Sequence, residues 1–194
     1  MQQVFLDVET QKSFDQVGGY FPDRLGISFV GVCIRNGFDG KGEMKGFFEQ
    51  DSPQLWPIIE HADVVVGFNI VSFDIETFRS YYSGNLDKWP VLDLLDRFKV
   101  ATGHRISLDS IAQQTLGIQK TGSGLDALKY YAKKEFDKLS SYCLKDVEIT
   151  RDVYDYGRTK GKLKFLNKWN RLIETPVDFG FSPKKNVGVQ MTLL

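Results

Sequence analysis

Short apolar runs separated by turn residues dominate the first half of the chain and predict β-strands. Residues 4–6, 25–34, 43–48 and 64–68 are rich in β-branched and aromatic side chains, the composition typical of strands. Asn36-Gly37 and Asp39-Gly40, between the second and third runs, are hairpin-turn signals. Residues 10–24 are polar and contain Gly18-Gly19, so they predict a long loop that could act as a substrate flap.

The second half of the chain shows the spacing of amphipathic helices. Helices are predicted at residues 52–61, 73–82, 108–116, 125–134 and 137–156, with Gly117 and Gly157 as terminators of the third and fifth. A short strand is predicted at residues 91–93, and residues 162–179 predict a terminal hairpin. This order predicts an α/β fold, with a mixed sheet of about five strands flanked by helices and a small C-terminal β-hairpin. We expect a main domain at residues 1–160, and a hairpin and tail at residues 161–194 that pack on it or extend from it.

Composition and charge exclude several classes of protein. The 194 residues carry 25 basic and 25 acidic side chains, so net charge argues neither for nor against a nucleic-acid partner. Cys33 and Cys143 lie in apolar surroundings and predict reduced core residues, not a disulfide or zinc site. No apolar run is long enough for a membrane span, and the early first strand leaves no room for a signal peptide. We expect a cytoplasmic, intracellular protein with no membrane partner.

Acidic residues lie at the ends of three of the predicted strands. Asp7 and Glu9 stand two apart at the exit of the first strand, so both carboxylates face one side; a solvated strand end is the alternative. Asn69 and Asp74 stand where a parallel strand passes into a helix, which is the usual ligand position in α/β sheets. Alternatively, Asp74 caps that helix and Asn69 forms an Asx-turn. Asp93 ends a strand near the same crevice, where a helix cap is the favoured interpretation.

Tyr142 and Asp146 are four residues apart on the last predicted helix. Residues at this spacing lie one above the other, so a phenol and a carboxylate point the same way. The alternative is an ordinary amphipathic pair, with the tyrosine half-buried and the aspartate in water. Each pair alone is a weak signal, but the three fragments occur in one order with sensible separations.

In this order the fragments resemble the motifs of the DnaQ-like, DEDD-type 3′–5′ exonucleases, which have a ribonuclease H-like fold. Asp7-Val8-Glu9-Thr10 is similar to the first motif, and residues 69–74, NIVSFD, are similar to the second. Tyr142 with Asp146 is similar to the third motif in its tyrosine form (DEDDy), because the histidine form would place histidine at Ser141. The resemblance covers residues 4–156 and is nearest to the exonuclease domains of family B DNA polymerases and to helicase-associated ribonuclease H-like domains.

The resemblance implies a metal-dependent enzyme that shortens single-stranded DNA or RNA from the 3′ end to nucleoside 5′-monophosphates. The acids Asp7, Glu9, Asp74 and Asp146 would hold two divalent ions, Mg²⁺ or Mn²⁺, which prefer hard oxygen ligands. Two such ions about 4 Å apart stabilise both the attacking and the leaving oxygen, and Tyr142 would orient the water. Thr10, Asn69 and Phe73 are expected to contact the terminal nucleotide, although Phe73 also suits the core and Asn69 could simply brace the site.

Two other functions stay open on the same fold. One is a catalytically weak nucleic-acid-binding module that associates with a polymerase or helicase, and the other is an endonuclease. The preference between DNA and RNA is not predicted. A basic cluster near the C-terminus could track a phosphate backbone or form a solvated hairpin face, which we favour. Its members are Arg158, Lys160, Lys162, Lys164, Lys168 and Arg171.

Overall fold

A five-stranded mixed sheet forms the centre of the computed structural model, which describes residues 1–118, 122 and 124–181. The strand order is β3-β2-β1-β4-β5. The first three strands pair antiparallel, whereas β4 pairs parallel with both β1 and β5. The strands are β1 Gln2–Thr10, β2 Ile27–Asn36, β3 Glu43–Phe48, β4 Val64–Gly67 and β5 Val91–Asp93. A separate antiparallel hairpin follows at β6 Lys162–Leu166 and β7 Leu172–Pro176, which confirms the predicted fold class.

Six α-helices connect and cover the strands in the part of the chain that the structure describes. They are α1 Trp56–Glu60, α2 Asp74–Phe78, α3 Leu94–Thr102, α4 Leu108–Leu116, α5 Gly124–Ala132 and α6 Phe136–Lys160. Short 3-10 helices lie at Asp15–Val17, Pro22–Arg24, Glu49–Gln54 and Leu86–Lys88. None of the helices within residues 1–118 and 124–181 has the length and apolar character needed to cross a bilayer.

The alternation of side chains along β1 divides the core into two layers. Val4, Leu6 and Val8 point to one face and pack in a cluster with residues of β2, β4 and α2. Phe5 points to the other face, where it packs with Val147 and other residues of α6. Because side chains alternate with a period of two, Asp7 and Glu9 share the face of Phe5 and lie under α6.

The C-terminal hairpin shares the core of the main domain. Leu163, Phe165, Val177 and Phe179 are buried in the same apolar cluster as Phe5. The division at residue 160 stays a prediction. Most of the predicted tail, residues 182–194, lies outside the described residues.

Four sequence predictions differ from the structure. Of the helix predicted at residues 73–82, only Asp74–Phe78 form α2. Helix α6 does not end at Gly157 but continues to Lys160, where Gly161 adopts a left-handed conformation with φ of 66°. The helix predicted at residues 52–61 is divided into a 3-10 helix and α1, because Pro53 and Pro57 cannot donate backbone hydrogen bonds. Helix α3, which the pattern did not predict, begins directly after β5.

Candidate active site

The central strand β1 places two carboxylates beneath α6. Asp7 and Glu9 lie near the C-terminal end of β1, beyond residues 3–5, which pair with β4. Glu9 is 9% exposed and Asp7 is half-buried. Two acids on one face of a strand repel each other, and a solvated strand end does not describe them because α6 covers this face.

Helix α6 brings a phenol and a carboxylate to the same place. Tyr142 is 7% exposed and Asp146 is 8% exposed, so the alternative of an aspartate in open water is wrong. Burial, and next the charges of Asp146 and Glu9, raise the pKa of Tyr142 far above its ordinary value. A hydrogen bond with Asp146 acts in the same direction. Tyr142 therefore keeps its proton and acts as a hydrogen-bond donor, not as a base.

Cys143 lies next to the first acid, on the same helix. Its thiol is 3.4 Å from the backbone oxygen of Asp7 and 3.6 Å from Oδ2 of the same residue. Burial, then the charges of Asp7 and Glu9, raise the pKa of Cys143 well above its ordinary value. The sulfur is therefore a protonated thiol that donates to Asp7. The sequence predicts only a core position for Cys143, although its spacing of three from Asp146 places both on one helix face.

Asp74 stands directly behind this group. It is the first residue of α2 and is 3% exposed. Its Oδ1 accepts a hydrogen bond of 2.9 Å from the backbone N–H of Val8, which lies past the end of the parallel pairing with β4. The carboxylate thus binds the edge of β1 beyond its pairing with β4, and the N-cap residue of α2 is Phe73, not Asp74. Burial, and next the charge of Asp7, raise the pKa of Asp74 well above its ordinary value.

The segment between β4 and α2 is held by Asp93. The Asp93 carboxylate accepts from the backbone N–H of Asn69 at 2.9 Å and from that of Val71 at 3.1 Å. It also caps α3 by accepting from the N–H of Leu95 at 2.9 Å, as the favoured interpretation predicted. Asn69 has a positive φ of 67°, and its Oδ1 accepts from Arg105 at 2.7 Å. Asp93 therefore fixes the turn that delivers Phe73 and Asp74.

An open cleft of about 320 Å³ lies above these groups. Six of the predicted site residues line it: Asp7, Glu9, Thr10, Phe73, Tyr142 and Asp146. Asp74 and Asn69 are not among the lining residues. Phe73 is half-buried and faces the cleft, so it is not confined to the core.

The loop at residues 11–24 contributes an aromatic wall that sequence analysis missed. Phe14 lines the cleft and meets the ring of Phe73 edge-on, with centroids 6.0 Å apart. Phe14 also stacks on Tyr20 at 4.7 Å, and the Tyr20 hydroxyl donates to the backbone oxygen of Ser72 at 2.8 Å. The three aromatic residues of this loop, Phe14, Tyr20 and Phe21, were the available signal. The two aromatic rings form a surface on which an unpaired base could stack.

The donor atoms of the cleft suit a hard cation. Within the described residues, single ligand atoms of Asp7, Glu9 and Cys143 all lie within 4.8 Å of one another. Asp74 and Asp146 lie outside this compact group. Because the thiol stays protonated, the ligating atoms available are carboxylate oxygens, which Mg²⁺ and Mn²⁺ prefer. Burial and the charge of Asp7 raise the pKa of Asp74, and a cation here would offset the second of these effects.

The basic cluster of the C-terminal region does not gather at this cleft. None of its six members, all within the described range, lines it. Lys162 pairs with Glu174 across the hairpin at 2.8 Å. Any binding role of the remaining cations therefore lies at another surface.

Comparisons with known proteins are consistent with this architecture. Residues 4–157 match the family described as the RNase_H superfamily. The family B DNA polymerase of the hyperthermophilic archaeon Pyrobaculum calidifontis is similar, with a TM-score of 0.56 and 16% identity over 82% of this chain and 24% of the polymerase. Exonuclease I of E. coli, in a zinc-bound complex with single-stranded DNA, is similar with a TM-score of 0.48 and 17% identity over 82% of this chain and 41% of that chain. The chain thus spans about a quarter of the polymerase and about two fifths of exonuclease I. No curated protein sequence matches the chain.

Proposed function

This chain belongs to the RNase_H superfamily, and on that premise we propose that it is a metal-dependent 3′–5′ exonuclease of the DEDD type in its tyrosine form. One observation carries the proposal. Asp7, Glu9, Tyr142 and Asp146, from opposite ends of the chain, line a single cleft, and Asp74 is bonded to the strand directly behind it. Acids without a shared role would not be expected to gather in this way, because their mutual repulsion costs free energy.

The carboxylates would hold the metal ions that the reaction needs. Asp7 and Glu9 are the nearest pair of oxygen donors, and we propose Asp74 and Asp146 as the further ligands. Bound Mg²⁺ or Mn²⁺ would supply Lewis-acid stabilisation of the phosphodiester and its leaving group. The thiol of Cys143 holds the orientation of Asp7 by donating to it.

The protein's own residues would orient the substrate and the water. Tyr142 keeps its proton, because burial and the neighbouring acids raise its pKa, so it can donate a hydrogen bond to an attacking water. Phe14 and Phe73 would stack on or beside the terminal base. Thr10 lines the same cleft and would contact the terminal sugar. Asn69, whose Oδ1 is taken by Arg105, would brace the segment that carries Phe73.

The experiment is digestion of 5′-labelled single-stranded DNA and RNA, each with a free or blocked 3′ end. We expect a ladder that shortens from the 3′ end with Mg²⁺ or Mn²⁺, no reaction with chelator, and no reaction on blocked ends. Asp146→Asn should lose at least about 10³-fold in rate, as expected when a ligand of the reaction's metal is removed. Full activity of Asp146→Asn, or activity in chelator, would contradict the proposal.

The same assay separates the two other functions. Cleavage of a circular single strand would favour an endonuclease. Metal-loaded protein that binds oligonucleotides but never shortens them would favour a binding module associated with a polymerase or helicase. Every proposed catalytic residue lies within residues 1–160, so the hairpin and tail at 161–194 would add binding or partner contacts and not chemistry.

A further inference from the structure

A second depression, which we call the hairpin groove, lies between the end of α3 and the C-terminal hairpin. Its volume is about 880 Å³, well above that of the candidate active site. Its lining includes aromatic and basic side chains, namely His104, Arg105, Phe165, Lys168 and Trp169. None of its described lining residues is acidic, although acids and bases balance over the whole chain.

The floor of the groove is built into the core. Phe165 is 3% exposed and meets Phe98 edge-on, with ring centroids 5.3 Å apart. The ring of His104 packs on the outer side of Phe165 at 6.2 Å. The packing of α3 on β6 therefore holds the aromatic floor in place, and the imidazole ring of His104 lies exposed beside it.

Trp169 is displayed at the tip of the hairpin and is 68% exposed. The turn that carries it is fixed, since Asn167 Oδ1 accepts from the N–H of Trp169 and from that of Arg171, both at 3.0 Å. Lys168 lies over the indole ring, with Nζ 4.5 Å from the centroid. An indole on a rigid turn is a stacking surface that loses little conformational entropy when it binds.

Arg105 connects the groove with the candidate active site. Its guanidinium lines the groove and donates to Asn69 Oδ1 at 2.7 Å. Asn69 begins the segment that ends in Phe73 and Asp74. A ligand in the groove would therefore contact Arg105, which is bonded to the segment that carries Phe73 to the cleft.

We infer that the hairpin groove binds single-stranded nucleic acid, with an unpaired base on Trp169 and backbone phosphates against Arg105, Lys168 and His104. Cations in a groove that has no acid among its described lining residues favour a polyanion, and an exposed indole selects a ligand with free π faces. An acidic peptide would satisfy the cations but would leave the indole unused. The inference rests on the proposed function for the class of ligand alone. The groove and the cleft are separate surfaces, so binding at the groove can be tested apart from cleavage at the cleft.

Binding without metal tests the inference apart from cleavage. Wild-type protein is titrated with a labelled oligothymidylate of about 20 nucleotides in chelator, and binding is followed by anisotropy and by tryptophan emission. Of the three tryptophans, Trp89 is 7% exposed and Trp56 packs against Phe78. The oligonucleotide should therefore quench mainly Trp169, and Trp169→Phe should abolish most of the quenching.

Trp169→Ala should weaken binding by about tenfold, the typical loss for one stacked base. Lys168→Ala should lower the slope of log K against log salt by about one. Phe38→Ala is the matched control, because Phe38 is 42% exposed and lies under Arg158, so it removes an exposed ring with a cation above it outside the groove. It should leave binding unchanged.

Equal affinity of wild type, Trp169→Ala and Lys168→Ala would overturn the inference. So would a polyglutamate peptide that binds the groove while the oligonucleotide does not. Folding is monitored by circular dichroism, and the high exposure of Trp169 means that its loss spares the core. Binding through the groove by a protein that never shortens ends would contradict the proposed function and support this inference. If the protein shortens 3′ ends but Trp169→Ala binds the oligonucleotide as tightly as wild type, the proposed function is supported and this inference is contradicted.

Discussion

Gly31 faces Cys143 across the gap between the sheet and α6. A Cβ built on Gly31 would lie 3.0 Å from Cys143 Sγ and 3.0 Å from Val147 Cγ2. Gly31 is also the partner of Asp7 in the β1–β2 register. The absence of a side chain at this position therefore lets α6 lie close enough to bring Tyr142 and Asp146 over β1.

Gly31→Ala should lower both stability and the proposed activity. Overpacking of this kind costs about 1–3 kcal/mol in the free energy of unfolding, and displacement of α6 would move Asp146 away from Asp7. In a Cys143→Ala background the cost should shrink, because one of the two contacts is gone. Urea unfolding of the four proteins gives the coupling energy. If Gly31→Ala lowers the free energy of unfolding equally in the wild-type and Cys143→Ala backgrounds, a side chain at position 31 does not meet Cys143.

Tyr142→Phe should slow cleavage by about a hundredfold, the usual cost of misplacing a reacting group, while leaving stability almost unchanged. The raised pKa of Tyr142 implies that the hydroxyl keeps its proton at least up to its ordinary value of 10.0. The wild-type rate should therefore show no alkaline decline from this residue below that pH. Tyr156→Phe, the same change farther along α6, is the control and should retain activity in the labelled-oligonucleotide assay.

The pH dependence of stability should report Asp74. Burial and Asp7 raise the pKa of Asp74 above its unfolded value near 3.8, so the folded state holds this proton more tightly. The stabilising contribution is fully present below the unfolded pKa and is lost as pH rises through the folded pKa. Metal-free wild type should lose this contribution as pH rises toward neutrality, whereas Asp74→Asn, which keeps an oxygen for the N–H of Val8, should not.

Thermal unfolding in chelator from acidic to neutral pH measures the Asp74 effect. Added Mg²⁺ should restore stability to the wild type at neutral pH and do little for Asp74→Asn. If the stability of wild type and of Asp74→Asn changes with pH in the same way, Asp74 does not have the raised pKa that its surroundings imply.

Local patterns predicted most elements, and they failed where one residue both ends a strand and caps a helix, or where distant contacts decide the structure. β3 occupies the predicted residues 43–48, and α4 begins after the cap Ser107 and ends before Gly117, as predicted. α3 was missed because Asp93 both ends β5 and caps α3, which leaves no loop to mark a boundary.

The candidate site shows the same limit of local patterns. Four carboxylates and a tyrosine could be named from motif order alone. The position of Phe14 depends on how the loop folds against Ser72, through Tyr20. No periodicity along the chain encodes such a contact, so that wall of the cleft could not be predicted.

Asp93→Ala should reduce stability and cleavage together. It removes the acceptor of the N–H groups of Asn69, Val71 and Leu95, and losing the acceptor of a buried donor, here the N–H of Leu95, costs about 1–3 kcal/mol. Cleavage should fall because the segment carrying Phe73 is no longer fixed. Ser107→Ala removes a comparable cap from α4 and should cost about 1 kcal/mol without affecting cleavage. Asp93→Asn, which keeps one acceptor oxygen, should recover part of both losses.

Gly157→Ala sets helix propensity against packing. In a helix interior alanine is more stable than glycine by about 1 kcal/mol, and Gly157 lies inside α6. A Cβ there would nevertheless lie 2.6 Å from Cδ2 of Phe179 and 3.3 Å from Cγ2 of Val177. Since Phe179 is 2% exposed and cannot move into solvent without uncovering Tyr154, we expect a net loss of about 1–3 kcal/mol. In a Phe179→Ala background the sign should reverse, to a gain of up to about 1 kcal/mol. Urea unfolding distinguishes the two cases, and stabilisation of the otherwise wild-type protein would mean that the segment after β7 does not pack on α6.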